Sequence, residues 1–129
     1  MARRSLILDT GAVFALIHNN RRARALLTVA QREGVDVVVP FVVVTQTIGG
    51  GAGDAAANRL LKSVFIPFVG ERLARVAGHL LGASGLSDVA DAQIVAEALR
   101  RAPSTIVTGD PDDMRRLADG LPGIRIISL

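Results

Sequence analysis

Cysteine is absent from these 129 residues, so neither a disulfide nor a thiolate-held metal enters any account of the chain. Tryptophan and tyrosine are absent too, and four phenylalanines make up the whole aromatic content. An aromatic platform for stacking nucleic-acid bases is therefore not an obvious mode. No apolar run approaches the roughly 20 residues that cross a bilayer. The basic start Met1-Ala2-Arg3-Arg4 leads into an apolar run that stops at Asp9, too soon for a secretory signal. A cytoplasmic protein without membrane contact is expected. Lysine is nearly missing as well: Lys62 stands alone beside fourteen arginines. Arginine suits bidentate phosphate contact, and a GC-rich coding bias yields the same composition. The net charge of +3 thus permits a nucleic-acid partner without demanding one.

What is present suits one compact domain over residues 1–129, half of them hydrophobic. Ser5 to Leu8 is a short apolar run of the kind buried on both faces of a sheet. Arg21 to Glu33 reads as a helix with Ala23, Leu26, Leu27 and Ala30 inward, ended by Gly34. Val35 to Val39 reads as a strand stopped by Pro40, and Phe41 to Ile48 as a short helix. Gly49-Gly50-Gly51-Ala52-Gly53 is a connector, because no Gly-Lys-Ser/Thr follows to make a phosphate loop. Asp54 is expected to cap a helix to about Lys62, and Val64 to Ile66 to add a third strand. Glu71 to Leu81 reads as helical, with Gly82 to Gly85 as the loop after it. Ser87 is the expected N-cap of a helix whose stripe is Val89, Ala92, Ala96 and Leu99, widened by Ile94 and Val95. Ser104 to Thr108 is the next strand, Asp112 to Asp119 a helix, and Ile124 to Ile127 a terminal strand. Alternation of this kind predicts an α/β fold, a mostly parallel sheet flanked by helices.

Ligands of open parallel sheets bind outside the carboxyl ends of the strands. Asp9 ends the first strand there, and Asp110 ends the Ser104–Thr108 strand, with Asp112 and Asp113 close behind. Asp88 and Asp91 open the central helix three residues apart, on one face. Each acid has a modest account of its own, as a helix cap, a turn residue or a partner of the helix dipole. Capping does not require them to share one end of the fold. Carboxylates gathered there repel one another unless they hold a hard cation with oxygen ligands, Mg²⁺ or Mn²⁺.

Leu6 to Gly11, Asp91 to Ala98 and Ile106 to Met114 resemble the three acidic motifs of PIN domains, in order and over essentially the whole chain. The resemblance is closest to VapC-type toxins of toxin–antitoxin pairs. It implies a Mg²⁺- or Mn²⁺-dependent endoribonuclease, usually a homodimer, inhibited by a cognate antitoxin that buries its site. By position, Asp9, Asp91 and Asp110 match the core metal-binding acids. Asp113 matches an accessory acid, Asp88 is an extra one, and Thr10 and Thr108 match hydroxyl residues beside them. The family usually has a glutamate where this chain has Gln46. An amide oxygen still ligates a hard cation or orients its water, but it adds no charge and is no general base.

The expected chemistry is attack of a metal-activated water on an RNA phosphodiester, with Asp88 or Asp113 orienting or deprotonating that water. His18 and His79 are expected to be structural, while Arg59, Arg72, Arg115 and Arg116 are candidates for backbone contact or for plain solvated helix faces. A PIN-like module that binds RNA or an antitoxin without efficient cleavage is the alternative, with Gln46 as its mark. A phosphotransfer fold fits poorly: Asp9-Thr10-Gly11 lacks the second acid of Asp-x-Asp, and Lys62 is misplaced for a receiver domain.

Overall fold

Four short runs of β-branched and aliphatic residues meet in a four-stranded sheet of order β2-β1-β3-β4, every pairing parallel. The strands are β1 (Ser5–Leu8), β2 (Asp36–Val38), β3 (Ser104–Thr108) and β4 (Ile124–Ser128). The computed structural model describes residues 3–129. Among the described residues seven helices flank the sheet: α1 (Thr10–Ile17), α2 (Arg21–Arg32), α3 (Phe41–Thr47), α4 (Asp54–Leu61), α5 (Glu71–Ser84), α6 (Val89–Arg100) and α7 (Pro111–Leu117). Parallel neighbours need crossover connections, and the helices that supply them cover the sheet. Ile7, Val38, Ile106 and Val107 are buried completely or nearly so, as such covering demands. Among the described residues no helix is long and apolar enough to cross a membrane.

The expected strand at Val64–Ile66 is reduced to a single parallel bridge, Phe65 beside Val38. Its two hydrogen bonds run from the Val39 amide to the Phe65 carbonyl and from the Phe65 amide to the Val37 carbonyl, each 2.9 Å. Pro67 has no amide hydrogen to continue such a ladder, which stops the strand there. The expected loop at Gly82–Gly85 is mostly helix. α5 runs on to Ser84, and Gly85 ends it at φ +74°, the left-handed conformation that glycine adopts without strain.

Two caps also differ from expectation. Asp88, not Ser87, caps α6, its carboxylate accepting from the Asp91 amide at 3.0 Å. Asp54 makes no cap bond to α4. Its carboxylate reaches back to the amides of Gly49 and Gly50, at 3.0 and 2.8 Å, and ties the glycine connector to the helix. Finally, α6 is buried on more than the expected stripe. Residues Ala92 and Ile94 to Ala98 are all enclosed, whereas Val89 at its start is exposed. A helix wedged between α5, α7 and the sheet has little solvent face, and exposure is confined to its two ends.

Candidate metal centre

β1 and β3 lie side by side in parallel, Leu8 opposite Val107, so the chain leaves both strands at the same edge. Asp9 follows directly from β1, and Asp110 lies two residues beyond β3. From β1 the chain moves to β2 on one side, and later returns to β3 on the other. The crevice between β1 and β3 is thus the point where strand order reverses, the usual ligand position in open α/β sheets. α6 descends into the amino end of β3, which puts its own start, with Asp88 and Asp91, at the carboxyl edge. α7 begins at once after Asp110 and carries Asp113 in its first turn.

These elements bring carboxylate oxygens of Asp91, Asp110 and Asp113 within 4.8 Å of one another. Asp9 lies beside this trio and not in it. It is 6% exposed, and its Oδ1 accepts from the Ala12 amide at 2.7 Å, capping α1. Burial raises the Asp9 pKa; hydrogen bonds from the Thr108 hydroxyl and the Ala12 and Gly109 amides oppose the rise, and the charge of Asp110 adds to it. Burial pushes the Asp91 carboxyl up to about 6, and repulsion from Asp88, Asp110, Asp9 and Asp113 acts the same way. Four acids bearing on one carboxylate mark the convergence that the linear chain only suggested.

No family model and no curated protein matches the sequence. The solved structures do match. A chain of the VapBC2 assembly of Rickettsia felis, bound to a fragment of promoter DNA, superposes with a TM-score of 0.76 at 14% identity, over 96% of this chain and 98% of that one. A toxin-antitoxin complex from Klebsiella pneumoniae gives 0.70 at 21%, over 93% and 95%. DNA-bound VapBC from Salmonella typhimurium gives 0.68 at 17%, over 99% and 98%. The fold is PIN-like. At such identities the likeness speaks for the path of the backbone, and the site must be argued from its own residues.

Within this PIN-like frame, two hydroxyls organise the acids. The buried Thr108 hydroxyl accepts from the Asp110 amide at 2.8 Å and opposes the rise of the Asp9 pKa, so it acts on both acids. Thr10 donates to the amide oxygen of the exposed Gln46, which draws α3 to the same rim. Gly11 packs on Gly109: a Cβ at Gly11 would stand 3.4 Å from Gly109 Cα and N, and 3.5 Å from Asp9 Oδ1. The loops carrying Asp9 and Asp110 thus run close beside each other here, with room for little more than a Cβ between them.

The donor set fits a hard divalent cation. It is all carboxylate oxygen, the donor type that Mg²⁺ and Mn²⁺ take. Mutual repulsion in the free protein is what such an ion relieves. Asp91, Asp110 and Asp113 are therefore the residues placed to hold it, with Asp9 beneath and Asp88 alongside. The sequence-based set of Asp9, Asp91 and Asp110 shares two members with this trio; Asp9 lies next to it, its Oδ1 on the Ala12 amide and its charge acting on Asp91.

Of the remaining candidates, His18 caps the end of α1, its ring nitrogen 2.8 Å from the Phe14 carbonyl oxygen. His79 sits exposed on α5. Arg59 lines a cleft with Arg24 between α1, α2 and α4, and Arg72 one between α5 and α6. One charged residue escaped sequence reasoning. Glu97 is 1% exposed, yet takes two hydrogen bonds from Arg100 at 2.8 Å and one from Arg101 at 3.1 Å. The Arg101 guanidinium also lies 4.9 Å from the Phe65 ring centre. A pair of arginines three and four residues after a glutamate was the signal available for it.

Proposed function

We propose that this chain is a divalent-metal-dependent endoribonuclease, the toxin of a toxin–antitoxin pair. The observation that carries the reading is the meeting of Asp91, Asp110 and Asp113 at the switch point of the sheet, with Asp9 and Asp88 close enough to raise Asp91. A Mg²⁺ or Mn²⁺ ion held there supplies Lewis-acid polarisation of a phosphoryl oxygen and a water of lowered pKa. Asp91, Asp110 and Asp113 hold the ion, and Asp9 contributes charge while fixing the start of α1. Asp88 is exposed and free on its second oxygen side to take a proton from the attacking water. Gln46 and Thr10 offer a neutral polar rim where substrate enters.

Partners belong to the same reading. The structural neighbours are toxin-antitoxin assemblies, which supports a cognate antitoxin for this chain. The cleft of Leu16, Ile17, Leu27 and Leu60, edged by Arg24 and Arg59, suits an amphipathic helix with acidic flanks. The exposed rings of Phe41, Phe65 and Phe68 support self-association as a homodimer. Action on RNA goes with a cytoplasmic setting.

The experiment is cleavage of RNA with Mg²⁺ or Mn²⁺ beside calorimetric titration with Mn²⁺. Asp9→Asn and Asp91→Asn are expected to lose roughly 100-fold or more in rate, the scale of removing one electrostatic stabiliser. Asparagine caps helices about as well as aspartate, so Asp9→Asn tests charge and not folding. Wild-type cleavage by Asp9→Asn overturns the mechanism. Gln46 favours a second reading, a PIN-like module that binds RNA or antitoxin without efficient cleavage. Mn²⁺ binding without cleavage selects that reading.

A further inference from the structure

We infer that Arg116 grips a phosphate next to the one being cut, and that the RNA strand leaves the acidic site along the cleft between α5 and α7. The inference rests on the nuclease reading. A divalent ion only partly neutralises five neighbouring carboxylates, so a polyanionic strand needs a cation just outside the cluster to approach at all. Arg116 stands three residues after Asp113 on α7, a neighbouring position on one helix face. Its Nη2 donates to the Ser84 carbonyl at 3.4 Å, which sets the guanidinium at the end of α5.

Its charge is not consumed by an acid. Arg115 pairs with Asp112 at 3.7 Å and Arg75 with Glu71 at 2.8 Å, while Arg100 and Arg101 share Glu97. Among the described residues, Arg116 has no carboxylate within ion-pairing distance. The cleft it lines, with Ala83, Ser84, Arg115 and Asp119, has a volume of 360 Å³. Past Ala83 it opens into a shallow groove along α5, over Gly78, His79 and Gly82, with Arg75 at the far side. A floor of small residues admits a sugar-phosphate backbone closely. With no Phe, Tyr or Trp among these lining residues, and His79 the one ring, the track favours phosphates over bases. Arg59 and Arg72 face other clefts and take no part.

The test is anisotropy of labelled single-stranded RNA, one uridine-rich and one adenine-rich, bound by the full chain in EDTA across a salt series. Arg116→Ala is expected to weaken binding by the same factor on both strands. It should also reduce the slope of log K against log salt by about 0.7, the value for one phosphate contact on a single strand. Arg116→Lys should recover part of the affinity and the full slope. Arg32→Ala is the control, since Arg32 ends α2 near the amino edge of β2, opposite the site. An unchanged slope in Arg116→Ala overturns the inference, as does a gain in Mn²⁺ affinity with RNA binding intact, which marks mere neutralisation of Asp113. If the wild-type chain binds Mn²⁺ and cleaves RNA while Arg116→Ala behaves like Arg32→Ala, this inference falls and the nuclease reading stands. If the wild-type chain binds neither Mn²⁺ nor RNA, both fall together.

Discussion

Asp91 is the residue on which the charges of the site act most visibly. Its carboxyl titrates near 6 in the folded chain, against 3.8 ordinarily. Between about pH 4 and 6 the folded state therefore binds more protons than the unfolded state. Stability is fully present below pH 4 and declines as pH rises through 6. Thermal melts in EDTA should show that decline in the wild type, and Asp91→Asn should flatten it. At pH 7.5 the same variant should melt about 3 °C higher without metal, because one like charge is gone, and should lose Mn²⁺ affinity by at least tenfold. A variant with unchanged Mn²⁺ affinity removes Asp91 from the ligand set. Gly11 offers a steric test at the same scale. Gly11→Ala places its Cβ in ordinary contact with Gly109, whereas Gly11→Val drives a branched side chain into that backbone. The first should keep Mn²⁺ binding and the second should lose it, by titration calorimetry.

At the scale of elements, α6 joins two separate tasks. Its exposed first turn carries Asp88 and Asp91, and its last turns anchor the helix through Glu97 and two arginines. Removing one partner of a buried charge cluster strands the others, so Glu97→Ala should cost about 3 kcal/mol in urea unfolding. Because Glu97 lies at the far end of the helix, Mn²⁺ affinity of the folded variant should be unchanged. Asp88→Ala works at the other end. Loss of the cap costs about 1 kcal/mol, while relief of repulsion on Asp91 offsets part of it. Its net effect on stability at pH 7.5 should therefore be smaller than at pH 4.5, where Asp91 is protonated and only the cap is lost. Equal losses at the two pH values, measured by urea unfolding, would show that Asp88 does not act on Asp91.

For the whole molecule, the proposed metal centre implies a stability that depends on divalent ion. An ion that binds only the folded chain stabilises it by mass action, about 2.7 kcal/mol at 100 times its dissociation constant. Mn²⁺ should raise the melting temperature at pH 7.5. The rise should shrink at pH 5.5, where protons compete for Asp91. A rise of equal size at both pH values would place the bound ion away from Asp91. Scanning calorimetry in EDTA and in Mn²⁺ measures both.

The order of strands and helices was legible in the sequence because each is a local pattern: an apolar run closed by Asp9 or Pro40, a 3.6-residue stripe, a glycine after a helix. The acids were legible too, as ends of elements that a parallel sheet collects at one edge, though each also had capping as an account of its own. Asp9 and Asp88 do cap their helices, as local chemistry allowed. What a one-dimensional pattern does not hold is distance between elements. The parallel pairing of β1 with β3, and the wedging of α6 and α7 against them, selected Asp91, Asp110 and Asp113 as the meeting trio, with Asp9 next to it. The same packing reduced Val64–Ile66 to one bridge and enclosed Glu97 with its arginines. Propensity and periodicity act between neighbours along the chain, whereas burial, and the electrostatic cost it sets, depends on which distant segments close over a residue.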